Sequence, residues 1–226
     1  LLMNTNDIIF LDFETGSRNP HNAQPIQLAA VAIDGRKLTI HEEFCSDILP
    51  VFDEEECIKL GIAPLEDEAL AINKHTREEL ANARHPKIVW QKFEGFVNRY
   101  NYKKNNYGAP LMAGMYIYGF DDIIINRLAA QYGSYDEESK YCTLFNKVHK
   151  YDLLHDFFRW FENFYTVKSF SMDTVRDILK MDKSNAHDAL QDCRDGAAVL
   201  IRYLKLYREL AKKVRFRPKG NDSDDE

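Results

Sequence analysis

Among the four cysteines of this 226-residue chain, Cys45, Cys57, Cys142 and Cys193, no two form a C-x-x-C pair. That spacing excludes a zinc knuckle and gives no disulfide framework, so the cysteines read as reduced packing residues. Long apolar runs are missing too. Hydrophobic residues make up 45% of the chain, but charges interrupt them everywhere, and no stretch approaches the roughly 18 apolar residues of a membrane span. The start lacks the pattern of a secretory signal, because Leu1-Leu2-Met3 meets Asn4, Asn6 and Asp7 at once. A cytoplasmic location without a membrane partner is therefore expected. Nor is there an excess of positive charge: 30 Lys and Arg face 36 Asp and Glu, for a net −6. This excludes a protein that wraps long duplex DNA in a basic field. It leaves room for an enzyme that grips a short nucleic-acid end, where bound metal offsets local acids. No internal repeat or linker divides the chain, so residues 1–212 are expected to form a single domain. Residues 213–226, a basic patch and then Asp-Ser-Asp-Asp-Glu, read as a disordered tail.

The most informative stretch is Ile8-Ile9-Phe10-Leu11-Asp12-Phe13-Glu14-Thr15-Gly16. Its apolar, β-branched body predicts a buried strand. Side chains alternate along a strand, so Asp12 and Glu14 share one face near its end. Two carboxylates held that close repel unless a proton or a cation sits between them, and hard divalent ions suit such an oxygen site.

Residues 26–33 form a second apolar run. Asp34-Gly35 signals a hairpin into an alternating segment at 37–44, so three antiparallel strands should lead the fold. Short acidic helices are expected at 54–60 and 66–72, and Thr76 with Glu79 makes a capping box. A longer helix should follow Pro86 and bury Ile88, Val89, Phe93, Phe96, Val97 and Tyr100. A strand is expected at 111–117. A helix from Asp121-Asp122 to Tyr132 should then be stopped by Gly133 in the left-handed conformation. The last strand is placed at 141–145, with helices at 151–164, at 172–179 behind a Ser171 cap, and from about Asp188 to Lys213.

In that final helix Asp188, Asp192 and Asp195 fall at i, i+4 and i+7, with His187 just ahead. Asp188 is explained as an N-cap or first-turn acid and Asp195 as a solvated charge. Asp192 is harder to dismiss, because Ala189, Leu190, Ala197 and Leu200 imply a helix packed tightly on a core.

Taken together, Asp12-Phe13-Glu14, Phe120-Asp121 at a helix start and His187-x4-Asp192 within Asn185-Ala186-His187-Asp188-Ala189-Leu190-Gln191-Asp192 resemble the DEDDh, or DnaQ-like, 3'-to-5' exonucleases. Residues 68–80 and Ser171-Met172-Asp173 extend the resemblance, which covers 7–207. One departure is Tyr116, at a place where many relatives carry Asn.

The resemblance implies an α/β, ribonuclease H-like fold, with a mixed central sheet flanked by helices and residues 1–212 as the exonuclease domain. It implies Asp12, Glu14, Asp121 and Asp192 as ligands of two divalent ions, Mg2+ or Mn2+, with Asp12 bridging. Asp121 is preferred to Asp122 because the motif has Phe directly before the acid. His187 would be the base that takes a proton from the attacking water. Phe13, Thr15 and Gly16, with Thr76 and Phe120, would hold the 3'-terminal nucleotide. Lys140, Lys147 and Lys150 are candidates for the phosphate backbone. The expected substrate is a single-stranded nucleic-acid 3' end, DNA ranked ahead of RNA, and the products are nucleoside 5'-monophosphates. The alternatives are an RNA-directed exonuclease and a non-catalytic nucleic-acid-binding or polymerase-associated module. The sequence names no protein partner.

Overall fold

The computed structural model describes residues 5–164, 167–183 and 188–214. Strand β1 (Ile8–Thr15) lies inside a five-stranded sheet. It pairs antiparallel with β2 (Pro25–Ile33), which in turn pairs antiparallel with β3 (Ile40–Asp47). On its other side β1 runs parallel to β4 (Leu111–Gly114), and β4 runs parallel to β7 (Lys150–Asp152), giving the order β3-β2-β1-β4-β7. The three leading antiparallel strands are as expected.

The alternation of β1 separates two cores. Ile9, Leu11 and Phe13 face a layer built by α4 (Pro86–Asn98) and α5 (Asp121–Tyr132). Ile8 and Phe10 face α6 (Leu153–Phe161), α7 (Met172–Leu179) and α8 (Ala189–Lys213). Because the period is two, Asp12 and Glu14 continue the α8 side.

Three short helices, α1 (Glu54–Leu60), α2 (Asp67–Ile72) and α3 (Arg77–Ala81), follow β3. Asp53 caps α1 with a reciprocal box to Glu56, and Thr76 caps α3 with the expected box to Glu79.

Several boundaries differ from the sequence expectation. Strand β3 begins three residues later than 37, because Leu38 is turned into the core at φ +58. In α4, Ile88 is exposed and Trp90 takes a buried place, donating from Nε1 to the Gly133 carbonyl at 3.2 Å. Gly133 has φ +122 and ψ 170, a positive-φ extended form and not the left-handed stop. Strand β4 stops at Gly114, and residues 115–120 form a turn. The segment expected as the last strand contributes only β6 (Tyr141–Cys142), paired with β5 (Tyr135–Asp136) in a separate ribbon. The last strand of the main sheet is β7, which the following aromatic run had hidden inside an expected helix. Cys45 is exposed on the edge strand, whereas the other three cysteines are buried. Residues 215–226 of the expected tail lie outside the described residues. Among the described residues no helix is long and apolar enough to cross a membrane.

Candidate active site

Three devices set α8 over the end of β1. The side chain of Gln27, on β2, accepts from the Ala189 N–H at 3.3 Å, so one of the otherwise unpaired first-turn amides of the helix is tied to the sheet. Arg194 makes a two-pronged pair with Glu43 of β3, at 2.8 and 2.6 Å. Gly196 sits so close to Phe10 that an added Cβ would lie 2.2 Å from the ring. Only a glycine lets the helix come this near. One turn before Gly196 stands Asp192, and two residues after Phe10 stands Asp12.

Asp12, Glu14 and Asp192 accordingly offer carboxylate oxygens all within 4.8 Å of one another. Asp121 comes from the other layer. It is the first residue of α5 and 1% exposed, and its Oδ1 accepts the backbone N–H of Phe13 at 3.1 Å. The register of β1 with β4 ends at Phe10–Ala113, so this side chain meets β1 just beyond the last paired residues. The four acids line one open hollow of about 390 Å3.

The electrostatics follow from that crowding. Burial, followed by the charges of Asp121, Glu14 and Asp192, pushes the Asp12 carboxyl well above the usual carboxylate range. Burial and the charges of Asp192 and Asp188 push Glu14 up to about 7. Asp121 is also raised, chiefly by burial, although the Phe13 N–H works against the shift. Such a set of hard oxygen donors, with no sulfur or ring nitrogen among the three that converge, matches the preference of a hard divalent cation. A cation between them removes the repulsion that raises these groups, so the residues fit the metal the resemblance implies.

Of the expected nucleotide contacts, Phe13, Thr15 and Phe120 line the hollow together with Met115, Tyr116, Ile72 and Asn73. Thr15 donates from its hydroxyl to the Ser17 carbonyl at 2.7 Å, and Asn73 donates to the Thr15 carbonyl at 3.0 Å. These bonds fix the loop after the strand. Gly16 packs against Leu65, whose Cδ2 would lie 2.2 Å from an added Cβ. Thr76 is engaged in its cap and lines a neighbouring hollow with His75 and Arg77, not the one with the carboxylates. His187 lies outside the described residues; Asp188, next to it, caps α8 by accepting the Gln191 N–H at 2.9 Å.

Lys150 pairs with Asp122, Lys140 with Glu137, and Lys147 lies 5.3 Å from the centre of the Tyr141 ring. Pairing Asp122 with Lys150 leaves the inward place to Asp121, as the Phe-Asp order implied.

Two features go beyond the sequence expectation: the conformation of Tyr116, marked there only as a departure, and the burial of Arg176. Tyr116 has φ +61, with its N–H held by Asp152 Oδ1 at 3.0 Å and its ring over Gly119, where a Cβ would clash at 2.0 Å. Arg176 is 1% exposed and bonds Asp192 and Asp195, so Asp195 is buried and paired, not solvated. A signal existed: Arg176 follows Met172 and Val175 at the spacing of an inward helical stripe.

Comparison with known proteins bears on the family and the fold. A family model described as RNase_T, an exonuclease, matches residues 9–200. No curated protein matches the chain significantly in sequence. The fold is similar to that of E. coli Exonuclease I bound to a dT13 oligonucleotide, with TM-score 0.69 and 18% identity over 92% of this chain and 43% of that one. It is also similar to a moderately thermophilic Exonuclease I from Methylocaldum szegediense (TM-score 0.66, 18% identity, 92% and 43% covered). A third likeness is to cell-death related nuclease 4 (TM-score 0.63, 17% identity, 89% and 64% covered). The chain thus spans less than half the length of the Exonuclease I structures.

Proposed function

We propose, since the chain belongs to the RNase_T exonuclease family, that it removes nucleoside 5'-monophosphates from the 3' ends of single-stranded DNA with the help of divalent metal ions. The observation that carries this reading is the convergence of Asp12, Glu14 and Asp192 within 4.8 Å, with buried Asp121 lining the same hollow. Asp12, Glu14 and Asp192 would hold one ion, and Asp12 with Asp121 would serve a second. Bound there, divalent ions supply charge neutralisation at the phosphate and a water of lowered pKa.

The remaining work belongs to the protein's own groups. His187, one residue ahead of the α8 cap, takes the proton of the attacking water. A His with an ordinary pKa of about 6.5 suits that task near neutral pH. Loop 115–120, clamped by Asp152 through the N–H groups of Tyr116 and Tyr118, presents the half-exposed Tyr116 ring to the hollow. A base can stack on that ring, and stacking tolerates any sequence. The open hollow admits a terminal nucleotide separated from a complementary strand, which is why single-stranded ends are favoured. The oligonucleotide bound by the E. coli enzyme, dT13, supports DNA as the polymer.

The test is digestion of matched 5'-labelled single-stranded DNA and RNA oligomers with Mg2+ or Mn2+, by the wild type, Asp12→Ala and His187→Ala. A ladder shortening from the 3' end, longer on DNA, absent with Asp12→Ala or EDTA, and slowed about 10² to 10⁴-fold by His187→Ala is expected. A longer ladder on RNA would move the assignment to an exoribonuclease. No ladder on either polymer would make the chain a binding module.

A further inference from the structure

Arg176 lies on α7, faces α8 and is 1% exposed. Its three nitrogens reach three carboxylates: Nη2 to Asp192 Oδ1 at 2.5 Å, Nε to Asp195 Oδ2 at 2.8 Å and Nη1 to Asp173 Oδ1 at 3.2 Å. Asp195 is anchored in turn, its Oδ1 accepting from Gln191 Nε2 at 2.8 Å. The guanidinium is planar, keeps its charge at every accessible pH and directs its donors in a fixed fork. A side chain held by three acids cannot swing toward a substrate, so its action must pass through the carboxylates it grips.

We propose that Arg176 is a positioning residue, a resident counter-charge that holds Asp192 in the ligand cluster and keeps the carboxylates assembled before a cation arrives, at the expense of cation affinity. The inference rests on the reading of Asp12, Glu14 and Asp192 as metal ligands. Two opposing effects meet at this guanidinium. It neutralises part of the repulsion among the acids, and it repels a cation that approaches them. Asp195 works the other way: it adds a negative charge beside the site and orients the guanidinium without belonging to the converging ligand set. Removing the positive charge and removing the negative one should therefore move metal affinity in opposite directions, which loss of packing alone does not do.

The experiment is calorimetric titration of Mn2+ into the full chain, for the wild type, Arg176→Met and Asp195→Asn, with melting temperatures in EDTA and in saturating Mn2+. Arg176→Met is expected to bind Mn2+ about tenfold more tightly or better, the scale of one unit charge removed a few ångströms away. Its melting temperature should fall more in EDTA than in Mn2+. Asp195→Asn is expected to bind Mn2+ several-fold more weakly. Equal Mn2+ affinity in all three, with melting temperatures lowered alike in both buffers, would reduce Arg176 to a structural ion pair and overturn the proposal. Weaker binding by Arg176→Met would overturn it as well. If Arg176→Met does not fold, Asp195→Asn decides alone, and unchanged affinity there is negative. A wild type that binds Mn2+ but cuts no DNA overturns the nuclease reading, while the order of affinities still decides the role of Arg176. A wild type that binds no Mn2+ overturns both.

Discussion

The two faces of β1 are built from the same strand and serve opposite ends. On the α4 side, Ile9, Leu11 and Phe13 meet Phe93, Phe96, Trp90 and Phe145, aromatic rings packed at centroid distances of 5.8 to 6.4 Å. Every contact there is satisfied by burial. On the α8 side the same alternation begins with Ile8 and Phe10 and ends with Asp12 and Glu14. Those positions share the geometry of a core but hold mutually repelling charges. The sheet thus carries its site on stability supplied by the opposite face: one side lowers the free energy of the fold, and the other gives up part of that gain by holding acids together.

The largest effect is expected from Asp12→Asn. It keeps shape but removes a charge, so cleavage should fall by at least about 10³-fold, the scale of losing a group essential to the reacting centre. Metal-free stability should rise, because a carboxyl raised by burial and like charges is being replaced by a neutral amide. Activity assays with melting in EDTA check both halves, and a variant less stable than wild type would refute the account of strain. On the other face, Phe93→Ala should cost about 3–5 kcal/mol of stability by opening a cavity in the aromatic cluster. The protein that remains folded should keep its turnover, as read from denaturant melts and specific activity.

The pH dependence follows from Glu14. In EDTA, the unfolded carboxyl titrates near its ordinary value and the folded one near 7. Between those values the folded state binds more protons, so stability is highest below the unfolded pKa. It is lost as pH rises through about 7, by about 3 kcal/mol for this group. Saturating Mn2+ should flatten that slope, because the cation takes the place of the proton. Urea melts from pH 4.5 to 8, with and without Mn2+, measure it; a metal-free stability that climbs over this range would contradict the crowding.

Much of this was legible from the residues. An apolar, β-branched run ending in D-x-E reads as a strand that delivers two acids to one side. The apolar residues Ala189, Leu190, Ala197 and Leu200 around Asp192 mark a helix pressed on a core. What escaped has physical reasons. The two- and three-residue strands β5, β6 and β7 are too short for a period to show, and β7 owes its place to β4, a neighbour distant in sequence. Ile88 and Trp90 flank the same helical stripe, and only the partner at Gly133 decides which turns in. Arg176 stands on an inward-spaced stripe of α7, but its pairing with Asp195 is visible only when the two helices are brought together.

The smallest expected effect tests the contact that lets the two faces coexist. Gly196→Ala places a methyl where the Phe10 ring already stands, 2.2 Å from the built Cβ. The helix interior favours Ala over Gly by about 1 kcal/mol. Overpacking of a close contact costs typically 1–3 kcal/mol, so the net change should be a destabilisation of about 1 kcal/mol. Phe10 belongs to the apolar part of the α8 face and Asp192 lies one turn away, so relief of the clash must tilt α8 or turn the ring. Either movement shifts Asp192 relative to Asp12 and Glu14. Turnover should therefore fall several-fold more than the stability loss explains, with Mn2+ affinity reduced in parallel. Were stability to change with turnover and Mn2+ affinity untouched, the distance between helix and strand would not be what holds the carboxylates in place.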